Sequence, residues 1–126
     1  MIERVRDVER VNRLLARDFE GVDFSEVLAE PLHVCLVEGE SGAIFAWRGP
    51  GIYELHLFFE VRGKAAMSLL RAMIARMFIE YGARLLWALV PADDRKVRLF
   101  ARLMGWEHRG VVQTRNGLNE LFVLEN

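Results

Sequence analysis

Two groups of residues in this chain have types and spacings that could do chemistry. The first is Glu54-Leu55-His56, inside the apolar run Ile52–Phe59. Strand side chains alternate between faces, so Glu54, His56 and Phe58 share one face, while Tyr53, Leu55, Leu57 and Phe59 share the other. A carboxylate and an imidazole on a largely apolar strand cost free energy unless they are hydrogen-bonded or neutral. Either could take a proton, because imidazole titrates near neutrality and burial raises a carboxyl towards it. The plainer reading is a satisfied polar pair on the sheet surface. The second group is the turn Glu60-Val61-Arg62-Gly63-Lys64, which leads from that run into a long helical pattern. First-turn amides of a helix lack intrahelical partners, and the macrodipole places partial positive charge there. Arg62 and Lys64 add full charges, and Gly63 lets the backbone approach a ligand closely. That chemistry is anion binding, and its plainer counterpart is solvated surface charge. Glu60 reads as a loop residue rather than a base.

The elements that must position these groups follow from periodicity. From about Lys64 to Tyr81, the residues Ala66, Leu70, Met73, Met77 and Tyr81 recur at helical spacing, widened by Leu69, Ile74 and Phe78. Gly82 is placed to stop the helix. Leu85–Val90 is nearly all apolar, the pattern of a strand covered on both faces, and Pro91 ends it. Strand, basic turn, helix and strand make a βαβ unit. Upstream, Val5, Val8, Val11, Leu15 and Phe19 predict an amphipathic helix over residues 3–19. Gly21 breaks it, and Asp23 or Ser25 could cap a short helix, Glu26–Ala29, that ends at Pro31. Leu32–Glu38 and Ala43–Arg48 read as strands around a Gly39-Glu40-Ser41-Gly42 turn, with Cys35 as core filling and His33 as an edge residue. Downstream, Asp93 or Asp94 can cap a helix Arg95–Met104 whose buried stripe is Val97, Phe100, Ala101 and Met104. Its Arg95, Lys96, Arg98 and Arg102 read as mostly solvated. Trp106–Val112 and Leu118–Leu124 form a hairpin around Asn116-Gly117, in which Trp106 and His108 read as structural.

Composition bounds the rest. With 126 residues, 52% hydrophobic and 28% charged, the chain reads as one globular domain over residues 1–126. A formal charge of −1 gives no global case for nucleic acid or an anionic membrane, and an Arg-rich helix at Arg95–Arg102 does not change that. The lone Cys35 excludes an internal disulfide and fits a reducing cytoplasm. Met1-Ile2-Glu3-Arg4 is charged where a signal peptide is apolar, and Arg71 and Arg76 interrupt the most apolar helix. The expectation is a cytoplasmic protein with no membrane partner and no metal site.

Taken in order, Glu60-Val61-Arg62-Gly63-Lys64, a helix ending in Tyr81-Gly82-Ala83, Leu86-Trp87-Ala88-Leu89-Val90-Pro91-Ala92-Asp93-Asp94 and a helix closing on Gly105-Trp106-Glu107 resemble the GNAT superfamily of N-acetyltransferases. The resemblance covers roughly the last two-thirds of the chain. It implies an α+β fold in αβα layers, with a mixed, mostly antiparallel sheet and helices on both faces. It also implies acetyl-CoA as co-substrate, held by the amides of Gly63, Lys64, Ala65, Ala66 and Met67 beside Arg62. Backbone donors of Leu57 and Phe58 would lie near the thioester carbonyl, with His56 or Glu54 as base for direct attack by an amine. The acceptor would be a small-molecule or peptide amine, and a homodimer stays open. The chain departs from the family pattern at four positions. Ala65 and Met67 replace the turn's glycines, Asp94 replaces an Asn, and Ala101 stands where a Tyr can protonate the leaving thiolate. Small prokaryotic and phage-encoded members look similar. The competing reading is a non-catalytic GNAT-fold binding or assembly module.

Overall fold

The computed structural model describes residues 1–17, 19 and 21–126. Among them, the elements in chain order are β1 (Glu3–Arg4), α1 (Val8–Leu15), α2 (Ser25–Ala29), β2 (Val34–Glu38), β3 (Ser41–Gly49), β4 (Ile52–Phe58), α3 (Gly63–Glu80), β5 (Leu85–Pro91), α4 (Arg95–Leu103), β6 (Glu107–Thr114) and β7 (Gly117–Glu125). The strands form one sheet in the order β1-β2-β3-β4-β5-β7-β6. Every pairing is antiparallel except β4 with β5, which are joined through α3 and run parallel. The α+β architecture with a mixed, mostly antiparallel sheet is as the sequence predicts.

The strand alternation that sets the site also sets the two cores. On one face, Leu36, Phe45, Tyr53, Leu55, Leu86 and Phe122 pack against Leu69, Leu70, Met73, Ile74 and Met77 of α3. On the other, Cys35, Val37, Ile44 and Phe58 pack against Val11, Leu14 and Leu15 of α1 and Leu28 of α2. Burial raises the Cys35 thiol to about 12, so it is core filling rather than a nucleophile. Gly82 adopts φ +67° just past α3, and the amide of Ala83 returns to the Met77 carbonyl at 3.0 Å.

Four expectations are corrected. The first helix does not start at residue 3, and position 18 of that stretch lies outside the described residues. Glu3 and Arg4 pair with Val37 and Leu36 as an edge strand, and Asp7 opens α1 by accepting the amides of Glu9 and Arg10 at 3.1 and 3.3 Å. Phe19 lies beyond the helix and is exposed. Leu85–Pro91 is covered on one face only: Leu86 and Val90 are buried, while Leu85, Trp87 and Leu89 are half-buried on the sheet face that carries α1 and α2, in a groove to which neither helix contributes. The last hairpin turns at Arg115-Asn116, because Gly117 already pairs with Thr114. Within α4, Val97 is exposed, and Phe100 and Ala101 are only half-buried. No helix among the described residues is long and apolar enough to cross a membrane.

Gly42 is needed for space rather than for its torsion. A Cβ there would lie 2.4 and 2.6 Å from the Phe58 ring and 2.9 Å from the Leu36 carbonyl oxygen. Phe58 is fully buried and has no room to swing away. Gly42→Ala is expected to lower stability by about 1–3 kcal/mol, the usual cost of overpacking. The urea midpoint measures it, and an unshifted midpoint would mean that the ring gives way.

Candidate active site

The site is built on the place where β4 and β5 part. Ile52, Tyr53 and Glu54 pair with Leu85, Leu86 and Trp87, and beyond Glu54 and Trp87 no pair forms. β4 stays with β3 as far as Phe58, and β5 stays with β7 as far as Pro91. A wedge therefore opens between the carboxyl ends of the two parallel strands. The Leu85 amide donates to the Gly51 carbonyl at 3.0 Å, so odd-numbered β4 residues direct their backbone groups towards β5. Leu57 thus presents backbone groups to the wedge. Phe58 faces β3, and its carbonyl accepts from Arg17 at 3.2 Å. Of the two backbone donors named from sequence, the wedge receives only that of Leu57.

On the α3–α4 side, the wedge is floored by an apolar cavity lined by Leu55 and Leu57 of β4, Ala88 and Val90 of β5, and Phe100 and Ala101 of α4, among others. Ala101 lies in this lining, so the position where the resemblance expects a proton donor carries a methyl group.

Helix N-termini stand at the end of each parting strand. α3 opens at Gly63, with φ +60° and open space where a Cβ would lie. No side chain caps its first amides, and its first turn holds no acidic residue. Those amides are free to meet an anion. Lys64 and Ala65 are exposed beside them, Ala66 is buried, and Met67 is half-buried against the main core. Arg62 does not point freely outward: its guanidinium folds back onto the Phe59, Glu60 and Val61 carbonyls. The Ser41 hydroxyl holds the same loop by accepting the Glu60 and Val61 amides at 2.8 and 3.3 Å. Arg62 therefore acts as a brace for the turn. At α4, Asp94 is the N-cap, and its Oδ1 accepts the Val97 amide at 3.1 Å.

On the other side of the sheet, Glu54 and His56 meet as the alternation predicts. His56 Nε2 lies 3.0 Å from Glu54 Oε2, and Arg48 donates Nε to Oε1 at 2.9 Å, with its Nη2 2.8 Å from the same oxygen. The Glu54 side chain is 13% exposed and that of His56 48%. Glu54 is thus the shared acceptor that fixes the imidazole, and the ring's other nitrogen, Nδ1, is the one left to accept a proton.

Arg48 escaped the sequence reading because it reaches Glu54 from a bulge: Trp47 pairs with Tyr53 and Gly49 with Ile52, leaving Arg48 between them. The visible signal was the Gly49-Pro50-Gly51 turn, which folds Arg48 back beside the strand carrying Glu54. His33 was read as an edge residue and instead holds this bulge. β2 begins where Val34 pairs with Phe45, and the His33 Nδ1 just before it accepts the Trp47 amide at 2.8 Å in place of a ladder partner. His108 gains partners too, with Nε2 3.7 Å from Glu120 Oε1 and its ring edge-on to Phe122.

This is the fold of the GNAT acetyltransferases, with the parallel pair parting at its centre. No protein-family model matches the sequence, and no curated protein matches it significantly. Solved structures do match. A spermidine N-acetyltransferase SpeG variant from Vibrio cholerae superposes with a TM-score of 0.78 at 13% identity, covering 99% of this chain and 94% of that one. A chimera of the same Vibrio cholerae enzyme with hSSAT reaches 0.80 at 12% identity, covering 99% and 95%. The aminoglycoside acetyltransferase AAC(6')-Ib, in complex with coenzyme A and kanamycin, reaches 0.71 at 17% identity, covering 100% and 94%.

The His33 contact has a pH signature. Burial first, then the Arg48 charge, hold its imidazole below the ordinary value, against a smaller opposing pull from Glu30. A lowered folded value favours the neutral ring, so this contribution is complete above about pH 6.5 and is lost as pH falls through that value towards the folded one. His33→Phe should lower stability at pH 7 by orphaning the Trp47 amide, and should shrink the loss between pH 7 and pH 5. Denaturant midpoints at both pH values test this; an unchanged pH difference would remove His33 from the account.

Proposed function

We propose that the protein is an acetyl-CoA-dependent N-acetyltransferase that transfers acetyl to an amine by direct attack on the thioester. The observation that carries this reading is the wedge between β4 and β5, flanked by the uncapped, acid-free N-terminus of α3 on one side and the Arg48–Glu54–His56 cluster on the other. The matched structures support it, since they are N-acetyltransferases of spermidine and acetyltransferases of aminoglycosides, and AAC(6')-Ib is in complex with coenzyme A. The residues present fit the co-substrate: amides of Gly63 to Met67 would meet its phosphates, with Lys64 adding charge and Arg62 keeping the turn in shape. Asp94 would stand at the neighbouring helix start with its carboxylate occupied by its own cap bond.

Acetyl-CoA supplies an activated acetyl thioester. The Leu57 amide would donate to the carbonyl oxygen, where negative charge grows during attack. His56 Nδ1 would accept the proton of the acceptor ammonium, directly or through one water. Glu54, neutralised by Arg48, would hold the imidazole and stabilise its charged form. The amine nitrogen would then form the new C–N bond as the C–S bond breaks with its electron pair on sulfur; the nitrogen gives its second proton to solvent as the amide forms, and solvent returns one to the thiolate because Ala101 has none to give.

Two experiments test this. Replacing Arg62 and Lys64 together with Ala should weaken acetyl-CoA binding in calorimetry, more at low salt than at high; equal affinity at low salt would sink the phosphate assignment. His56→Gln should cut turnover by about 10²–10⁴-fold, the usual worth of a general base, with acetyl-CoA affinity nearly intact. In the unaltered protein, the rate should rise with pH without the falling limb of a phenolic acid. Full turnover in His56→Gln would exclude His56 as the base, and a larger loss in Glu54→Gln would move that role to Glu54.

A further inference from the structure

We propose that the acceptor is a monoamine with an apolar, preferably aromatic, body rather than a polyamine or an aminoglycoside; this rests on the acetyl-transfer reading. The sheet register carries the argument. Glu54 pairs with Trp87, Trp87 with Val123, and Val123 with Glu107, so these four lie in one row on one face. Neighbouring strands are about 4.8 Å apart, which puts Trp87 about 5 Å and Val123 about 10 Å along the row from Glu54. Leu85, Leu89, Leu121 and Val112 flank the row and line an apolar groove to which no helix contributes. An amine bound at His56 and Glu54 and lying across the strands therefore covers Trp87 within two or three carbon–carbon bonds. The indole can also face the ammonium itself.

Charge excludes the polycations. A second or third ammonium needs a carboxylate of its own beyond Glu54, and among the described residues the two at the far end of the row share one arginine. Arg109 holds both Glu107, at 3.0 Å, and Glu125, at 2.8 Å. A polyamine laid along the row would set its remote charges on Leu121 and Val123, where desolvation has no compensation.

The probes are 2-phenylethylamine and spermidine, each titrated into the full chain with saturating acetyl-CoA while tryptophan emission is followed, with Trp87→Phe to assign the signal. The expected result is a Trp87-dependent change and a dissociation constant for 2-phenylethylamine at least tenfold below that for spermidine. Tighter spermidine binding, or an unchanged signal in Trp87→Phe, overturns the proposal. A signal that tracks protein concentration, with dimer in sedimentation, means a second copy covers the face and also overturns it. Thiol release with the same amines separates the two readings: bound 2-phenylethylamine without thiol release refutes the catalytic reading and leaves the amine site standing, whereas faster release with spermidine keeps catalysis and refutes the apolar acceptor.

Discussion

The rest of the molecule depends on the loss of hydrogen bonding between β4 and β5 beyond Glu54 and Trp87. Two parallel strands in mid-sheet would ordinarily stay paired, because unpaired backbone groups away from water cost free energy. Here each strand follows its antiparallel partner instead: β4 keeps β3 through Phe58, and β5 keeps β7 through Pro91. The sheet's twist then carries the two halves apart. The fold tolerates the wedge because Leu55, Leu57, Ala88 and Val90 fill one side of it against α4. What remains unsatisfied is a short stretch of backbone edge at Leu57, and a ligand able to accept a hydrogen bond there completes the sheet's own bonding. The two helix starts lie at the carboxyl ends of these strands for the same topological reason, since α3 and α4 follow them directly.

Electrostatics around the wedge are set by arginines that are already committed. Arg62 is spent on three carbonyls of its own turn, Arg48 on Glu54, and Arg109 on Glu107 and Glu125. A net charge of −1 thus conceals a local arrangement in which opposite charges are paired in place and the first turn of α3 keeps an uncompensated positive potential. On the proposed reading, this also reconciles Asp94 with a neighbouring anion, because its carboxylate is engaged by the Val97 amide at the start of α4.

Legibility in the sequence tracked the length of each pattern. α3 offers five turns of apolar periodicity, and the sequence reading placed it to within a residue or two. β1 has two residues, too few to show alternation, so Val5 was drawn into the helical spacing of Val8 and Val11. The apolar run Leu85–Val90 could not show that one face lies open, because composition is the same whether a helix covers Trp87 or nothing does. The pairing of Glu54 with His56 was legible because a period of two needs no tertiary information. Arg48 and His33 were not, because one arrives through a bulge and the other serves a main-chain amide 14 residues away. Such partners leave no trace in side-chain spacing.

Ala101 connects these points. A tyrosine there would bring its hydroxyl into a cavity lined by Leu55, Leu57, Val90 and Phe122, where a phenol must find a partner or lose free energy. The methyl group avoids that cost and gives up the internal acid. On the proposed reading, proton traffic is then confined to the opposite face, where His56 is half-exposed and the Glu54 carboxylate is braced by Arg48. On that reading, base and solvent share one side of the sheet, while the cavity on the other side, lined by Leu55, Leu57, Val90 and Phe122 among others, is apolar. The rate of acetyl transfer, on the same reading, would depend on how readily the acceptor sheds its ammonium proton at His56, and an acceptor that shields the open face with its own apolar surface would do most to exclude competing water.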